Sequence, residues 1–541
     1  MTAERRETVL TFGVIVALLG MLLWPERGYV PIWDGNVYAN CIVDAATTHG
    51  FDLNSLRCAR HPTYGWAAIL TLSQLSSPGD TGMMLLMNVL LGLLALVSFR
   101  ALASALFPGD GHARALNVLT VACALHPVLL STLLQVNPDF GLYVFFLAMY
   151  AALVHDRYGW AAVAGTFLAF SKETGAFAAG ALVAVEVGRR VLAPALRGMS
   201  LRARLARIAP IWPAFLPLTL FGLYLVWWTA SANAQPAIWK HDWNTSTADA
   251  FRFFDLTDPI FVSYAAGIFV LGFSWVVSAI IAGDALVGGY RFLRRRAPRM
   301  LAGADPSLVV SLAVLTLVLT YVLTAFRTWS NVRYFAVLYP LFLLLAYAAL
   351  VRLRVSVVGR IAAGLVLVGL FGLGAVRSAD PVSKAVYGTF SIGDREMYTM
   401  TSITGEFSGP GRDELVYNLE FTGFHHIQNA LFRELRIGDS TWVAISRSMR
   451  WHLWSQLDAR TRRRTLQRTN LIVPRYADEI DLQVNPNRPT DVVFLEFSNH
   501  QYGDHALESL TRRYYREAGI ARIHLNGHLL VAHHLVLRAL P

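Results

Sequence analysis

The sequence predicts an α-helical protein that crosses a membrane many times and then adds a smaller α/β domain. Only 15% of the 541 residues are charged, whereas a soluble globular protein usually carries about 25% charged residues. Apolar stretches of roughly 20 residues, the length that crosses a hydrocarbon core, recur up to residue 377. We therefore predict a transmembrane domain over 1–377 and an α/β domain over 378–541.

About eleven spans satisfy this length rule, and the fifth and sixth are short enough to form one re-entrant pair. They cover 8–25, 82–106, 115–135, 139–154, 159–171, 174–190, 209–229, 259–282, 306–326, 334–351 and 357–376. The net charge of +11 arises largely from arginines in short loops, so the positive-inside rule explains it better than nucleic-acid binding does. We therefore predict a protein of the plasma or inner membrane. Its N-terminus is cytoplasmic and its C-terminal domain is extracytoplasmic.

The C-terminal domain shows strand patterns separated by helical ones. The last two predicted strands are joined by Asn526-Gly527, a strong two-residue hairpin signal. A helix is predicted over 505–517, ending near Gly519. Further helices are expected over 424–435 and 450–467. Candidate strands are 414–418, 441–445, 470–473, 491–496, 521–525 and 529–537.

The first outer loop, 26–81, is too long for a simple connection and carries the leading catalytic candidate. Asp34 lies just beyond the first span, near the aromatic Tyr38. A carboxylate beside aromatic groups can have a raised pKa and accept a proton from a hydroxyl. The structural alternative is a helix N-cap. Cys41 and Cys58, in the same loop, form a disulfide in an oxidising compartment or remain two thiols.

Basic residues recur on the same predicted face of the membrane. Arg60 and His61 belong to the first loop, and Arg333 opposes the charge bias of the outer side. Lys172 and Glu173 interrupt an apolar run, where ionisable groups are costly and suggest function. Lys172 is suited to a phosphate group. The alternatives are lipid headgroups as partners of the first-loop cations, and mutual neutralisation of Lys172 and Glu173.

Three further residues are candidates for substrate binding. Asn137 and Asp139 open the fourth span, where Asp139 either complements the helix dipole or binds a sugar hydroxyl or a metal. Trp239 lies in an outer loop, where tryptophan either stacks on carbohydrate or anchors the chain at the interface. No metal-binding motif is present. If a divalent metal is used, Asp34 and Asp139 are its candidate ligands.

In their order along the chain these motifs resemble the GT-C superfamily of integral-membrane glycosyltransferases. The likeness is greatest to the branch containing protein O-mannosyltransferases and lipid A aminoarabinose transferases. The segments that carry it are Trp33-Asp34, His61-Pro62-Thr63-Tyr64, Asn137-Pro138-Asp139, Lys172-Glu173-Thr174-Gly175 and Arg333-Tyr334. The family often has a second proline where this chain has Thr63.

The resemblance implies an inverting transfer of a sugar from a polyprenyl-phosphate-linked donor to a hydroxyl acceptor at the outer membrane face. The acceptor would be a cell-envelope glycan, a lipid or a protein. By the family's pattern Asp34 is the catalytic base, and Lys172 and Arg333 hold the lipid phosphate. Arg60 and His61 assist them.

Two other functions compete with the glycosyltransferase. A lipid or sugar transporter, or a flippase, would place ionisable residues at the membrane midplane and show symmetry between its halves. Here the charges cluster at one face and no internal repeat is visible. A membrane-anchored binding or sensor protein would need few spans. We therefore expect an enzyme.

Overall fold

The structure is a computed structural model of the chain. It describes residues 3–29, 31, 34–47, 56, 58, 61–192, 200–206, 208–230, 265–294, 303–325, 332–387, 389–392, 395–398, 418–419, 442–445, 471–472, 490–497, 511–525 and 528–538.

The described residues form a bundle of α-helices followed by a mixed β-sheet. Short 3-10 helices lie at Trp24–Glu26, Ala209–Phe215, Leu271–Phe273 and Val332–Phe335. The α-helices are α1 Ala3–Leu23, α2 Asp34–Thr47, α3 Tyr64–Gln74, α4 Thr81–Leu106, α5 Asp110–Ala124, α6 Pro127–Leu134, α7 Pro138–Val154, α8 Tyr158–Ala169, α9 Glu173–Leu192, α10 Leu201–Ala206, α11 Leu216–Ala230, α12 Ser274–Leu293, α13 Pro306–Ala325, α14 Leu338–Arg352, α15 Val357–Val376 and α16 Pro381–Tyr387.

The helices confirm a multi-pass membrane protein. Within the described residues, six are long and apolar enough to span a bilayer, or seven if α5 and α6, bent by 51°, count as one broken span. The helices α7 and α14 are apolar but shorter. The count of eleven therefore stays a prediction. The six are Arg5–Glu26, Thr81–Leu106, Ala209–Trp228, Leu271–Leu293, Pro306–Thr324 and Val357–Val376.

Two glycines let the helices α3 and α9 approach α8 closely. A Cβ atom on Gly175, in the first turn of α9, would lie 1.9 Å from the carbonyl oxygen of Leu168 in α8. A Cβ atom on Gly65 of α3 would lie 2.5 Å from the carbonyl oxygen of Phe167. Any larger side chain would displace the backbone at either position. These contacts fix the loop between α8 and α9 against α3.

Within the described residues the sheet contains seven strands in the order β2-β1-β6-β7-β5-β3-β4. Strand β3 pairs in parallel with β4 and with β5, and the other neighbours are antiparallel. The predicted hairpin is confirmed, because β6 and β7 pair in register from Leu525 opposite His528. The strands are β1 Thr389–Ile392, β2 Arg395–Tyr398, β3 Trp442–Ile445, β4 Leu471–Ile472, β5 Asp491–Phe497, β6 Tyr515–Leu525 and β7 His528–Leu537.

The predicted helix over 505–517 is wrong at its C-terminal end, where β6 already begins at Tyr515. The sequence signal there is Gly519, since glycine commonly follows the last residue of a helix. In the structure the strand register shifts between Glu517 and Gly519, so this glycine marks a β-bulge. The predicted strand 414–418 and the helices 424–435 and 450–467 fall outside the described residues, apart from Asn418.

Cys41 in α2 and Cys58 form a disulfide, with Cα atoms 5.6 Å apart. The bond ties α2 to the segment that leads into His61. Of the two alternatives that the sequence left open, the structure therefore has the bridged form. The third cysteine, Cys123, is a buried free thiol in α5.

Removal of the disulfide is expected to lower stability. We expect Cys58→Ala to reduce the free energy of unfolding by about 3 kcal/mol, because a crosslink of this loop length restricts the unfolded chain. The melting temperature in detergent should fall and become insensitive to reductant. The control Cys123→Ala should keep the reductant sensitivity of the unaltered protein. A Cys58→Ala protein that still loses stability on adding reductant would contradict the assignment.

Candidate active site

The predicted site residues Asp139, Lys172 and Arg333 meet inside the bundle. The Lys172 ammonium donates to Asp139 Oδ1 at 3.0 Å, and Arg333 Nε lies 3.2 Å from Asp139 Oδ2. Asp139 and Arg333 are only 2% and 4% exposed. Burial of charges at this depth is tolerated when they are paired. Two cations therefore converge on one carboxylate, and each of the three residues belongs to a different segment of the chain.

Each of the three segments has a local reason for its position. Asn137 caps α7 by accepting from the backbone N–H of Asp139, and Pro138 is the first residue of that helix. Lys172 lies in the tight loop between α8 and α9 that Gly175 allows. Arg333 lies in the 3-10 helix that precedes α14. The structural alternative, a helix start at this segment, is therefore present, and Asp139 belongs both to the first turn of α7 and to the cluster.

The aromatic ring of Tyr334 lies against both cations. The Lys172 ammonium is 4.3 Å from the ring centroid, and the Arg333 guanidinium carbon is 5.4 Å from it. Such cation–π contacts favour the charged forms when water is largely excluded. Burial opposes the charge of Lys172, but the Asp139 carboxylate outweighs it and raises the pKa of Lys172. The amine is therefore an ammonium at neutral pH.

A second pair joins the first loop to α9. The imidazole Nδ1 of His61 lies 2.8 Å from Glu173 Oε2. Burial opposes the charge of Glu173, yet the hydrogen bond with His61 outweighs this effect and holds the pKa of the carboxyl below its ordinary value. His61, predicted to assist at a phosphate, is thus oriented by Glu173 through Nδ1, which leaves the Nε2 edge of the ring to face other groups.

Replacement of Glu173 by Gln should change the acid sensitivity of the protein. A carboxyl with a lowered folded-state pKa stabilises the fold above its unfolded value of 4.5, and that contribution is lost as the pH falls below this value. We expect the melting temperature of the unaltered protein to fall more steeply on acidification than that of Glu173→Gln. Thermal unfolding across this pH range measures the difference. Parallel curves would mean that the His61 contact does not favour the ionised carboxyl.

The start of α2 lies beside the segment that leads into α7. This helix begins at Asp34, and a Cβ atom on the adjacent Gly35 would lie 3.4 Å from the carbonyl oxygen of Val136. Val136 directly precedes Asn137. The backbone of the predicted catalytic residue is therefore close in the fold to the start of α7, where Asp139 pairs with Lys172.

The remaining predicted site residues are distributed as follows. Tyr38 is buried in α2, and its ring packs edge-on against Trp66 with centroids 6.1 Å apart. Arg60 and Trp239 lie outside the described residues, as does the side chain of Asp34. Among the residues that the structure describes, no group of three or more His, Cys, Asp or Glu side chains is arranged to hold a metal ion.

An apolar cavity of about 630 Å³ adjoins the cation cluster. Its walls are formed by α9, α11 and α13, and Tyr334 is among the residues that line it. The same aromatic ring therefore touches the two cations and the apolar space. In the sequence Tyr334 stands out only as the neighbour of Arg333, because nothing in the local pattern indicates that Lys172 lies over its ring.

The fold was compared with those of known proteins. No protein-family model and no curated protein matches the sequence. Among solved structures, ArnT from Cupriavidus metallidurans bound to undecaprenyl phosphate superimposes with a TM-score of 0.52 at 13% identity, covering 97% of each chain. The apo form of the same protein gives a TM-score of 0.52 at 12% identity and covers 98% of each chain. The predicted resemblance to GT-C membrane glycosyltransferases is confirmed for the fold.

Proposed function

We propose that the protein is an inverting glycosyltransferase that moves a sugar from a polyprenyl-phosphate-linked donor to a hydroxyl acceptor. The observation that carries this proposal is the contact, through Tyr334, of the partly buried Lys172 and the buried Arg333 with an apolar cavity. A polyprenyl phosphate has the same division into a compact anion and a long apolar tail. The similar fold of ArnT, a protein whose structure contains undecaprenyl phosphate, supports this choice of donor.

The donor phosphate would bind at Lys172 and Arg333. The Lys172 ammonium carries further N–H donors beyond the one directed at Asp139. Arginine and lysine are the usual protein partners of phosphate oxygens. The first prenyl units would then enter the cavity between α9, α11 and α13, where burial of apolar surface favours binding. Membrane lipid would surround the remainder of the chain.

Asp34 would act as the catalytic base on the side of the sugar ring opposite the phosphate. The acceptor oxygen forms a bond to the anomeric carbon, the bond between that carbon and the phosphate oxygen breaks, and Asp34 takes the hydroxyl proton. The departing phosphate keeps the electron pair of the broken bond. Lys172 and Arg333 stabilise its negative charge, so the reaction requires no general acid. Attack opposite the leaving group inverts the anomeric configuration.

Two observations favour an extracytoplasmic site. The Cys41–Cys58 disulfide belongs to the same loop as His61, and disulfides persist in oxidising compartments. At the other end of α9, Arg189 and Arg190 pair with Glu186. That arginine pair lies about 25 Å along the helix axis from Glu173 by the rise of an α-helix, close to the thickness of a hydrocarbon core. The arrangement agrees with arginines on the cytoplasmic side.

A transfer assay tests the proposed function. Membranes that contain the protein are mixed with acceptor membranes and with undecaprenyl phosphates carrying labelled glucose, mannose, arabinose or aminoarabinose. We expect label to reach an acceptor from at least one lipid donor, with release of undecaprenyl phosphate. Membranes with Arg114→Met, which breaks an exposed ion pair to Glu7, should transfer equally well. Transfer from a nucleotide sugar in the absence of any lipid donor would contradict the proposal.

A further inference from the structure

A buried glutamine between α6 and α7 has no hydrogen-bond partner for its side chain among the described residues. Gln135 is fully buried, and neither its amide oxygen nor its amide nitrogen has a partner within the part of the chain that the structure describes. Buried side-chain amides are almost always hydrogen-bonded, because an unpaired donor or acceptor loses its hydration without compensation. An unpaired amide at such a position is suited to a ligand that supplies the missing partners.

The neighbouring Asn137 has the same property and connects Gln135 to the cation cluster. Both residues have an extended backbone, with φ −82° and ψ 134° at Gln135 and φ −143° and ψ 137° at Asn137. Side chains two residues apart in an extended segment project to the same side. Asn137 is 1% exposed, its Nδ2 lacks a partner in the described structure, and its Oδ1 accepts from the N–H of Asp139.

The segment 135–137 also lies between the two halves of the proposed catalytic machinery. On one side, Val136 abuts Gly35 at the start of α2, next to Asp34. On the other side, α6 and α7 both pack against the 3-10 helix Val332–Phe335, which carries Arg333. In an in-line displacement the sugar ring must lie between the base and the leaving phosphate.

We propose that Gln135 binds hydroxyl groups of the donor sugar, with Asn137 beside it; this inference rests on the proposed function. A carboxamide offers both a donor and an acceptor, and so does a sugar hydroxyl. A site built around such a pair discriminates strongly against a ligand that lacks the hydroxyl, because the buried amide then stays unpaired. Gln135 therefore distinguishes polyprenyl-phosphate sugar from bare polyprenyl phosphate, the product that must leave.

The chain provides a matched control in Gln74. This residue is also fully buried, but its Nε2 donates to Ser73 Oγ and to the carbonyl oxygen of Asp80, and its Oε1 accepts from the N–H of Gly79. Gln74 is thus a structural glutamine with satisfied hydrogen bonds. Methionine has nearly the volume of glutamine without its polar atoms, so Gln135→Met and Gln74→Met compare an unpaired amide with a paired one.

Binding measurements on the purified full chain test the inference. Affinities are determined for undecaprenyl phosphate and for the glucose, mannose, arabinose and aminoarabinose forms, together with melting temperatures. We expect the unaltered protein to bind one sugar form about tenfold or more tightly than bare undecaprenyl phosphate, the effect of one or two hydrogen bonds. Gln135→Met should lose this preference, keep its affinity for undecaprenyl phosphate and melt no lower. Gln74→Met should melt lower and keep the preference.

The possible results separate the two proposals. If the unaltered protein binds undecaprenyl phosphate but prefers no sugar form, the role of Gln135 is wrong and the proposed function stands. The same holds if Gln135→Met keeps the preference, or if it melts as low as Gln74→Met. If the unaltered protein binds neither undecaprenyl phosphate nor any sugar form, the proposed function fails and the inference fails with it.

Discussion

Asp34→Asn is expected to abolish sugar transfer while leaving donor binding intact. The amide is nearly isosteric with the carboxylate but cannot take a proton from the acceptor hydroxyl. Loss of a general base typically lowers the rate by about 10² to 10⁴. The effect should appear in kcat, because the proposed role of Asp34 is to act on the acceptor and not to hold the donor phosphate. Initial rates of labelled transfer and direct binding of undecaprenyl phosphate measure the two quantities separately.

Asp44 provides the control for this substitution. It lies on the same helix, α2, and is exposed, so Asp44→Asn makes the same change of charge about 15 Å farther along the helix axis. Transfer by Asp44→Asn should be unchanged. Full activity of Asp34→Asn at normal expression would refute the assignment of the base. Asp139 and Glu173, the other carboxylates near the site, would then be the candidates.

The sequence predicted the segments that form the site more reliably than their pairing. Lys172 and Glu173 are neighbours in the chain, and mutual neutralisation was one interpretation of them. In the structure they have different partners, because Lys172 contacts Asp139 and Glu173 contacts His61. These partners lie 33 and 112 positions away in the sequence. Local sequence indicates that a buried charge needs a partner, but only the packing of α7, α9 and the first loop decides which one.

Gln135 illustrates a different limit of sequence reasoning. It follows the apolar helix α6, where a single glutamine looks like the polar end of a span. Its importance depends on burial and on the absence of hydrogen-bond partners in the described structure, and neither property is visible in a one-dimensional pattern. By contrast, the predicted start of α7 was correct, because Asn137 and Pro138 act through the backbone of their own helix.

Lys172→Met is expected to weaken binding of undecaprenyl phosphate by about 100-fold. A hydrogen bond between charged groups in a buried site contributes about 1.5–3 kcal/mol, and the substitution also removes one of the two cations proposed to bind the phosphate. Binding of undecaprenyl phosphate to the purified protein measures the loss. Lys172→Arg should recover only part of the affinity, since the planar guanidinium does not reproduce the geometry of the ammonium over Tyr334.

A neutral substitution separates the binding role of Lys172 from its structural one. Lys172→Met leaves Asp139 buried with one partner fewer, and breaking a buried ion pair can cost about 3–5 kcal/mol. Lys172→Gln keeps an N–H donor for Asp139 and leaves the carboxylate paired with Arg333, so the melting temperature should recover toward that of the unaltered protein. Affinity for undecaprenyl phosphate should not recover, because the ammonium is still missing. If affinity returned together with stability, Lys172 would serve only to hold Asp139 in place, and the phosphate would depend on Arg333 alone.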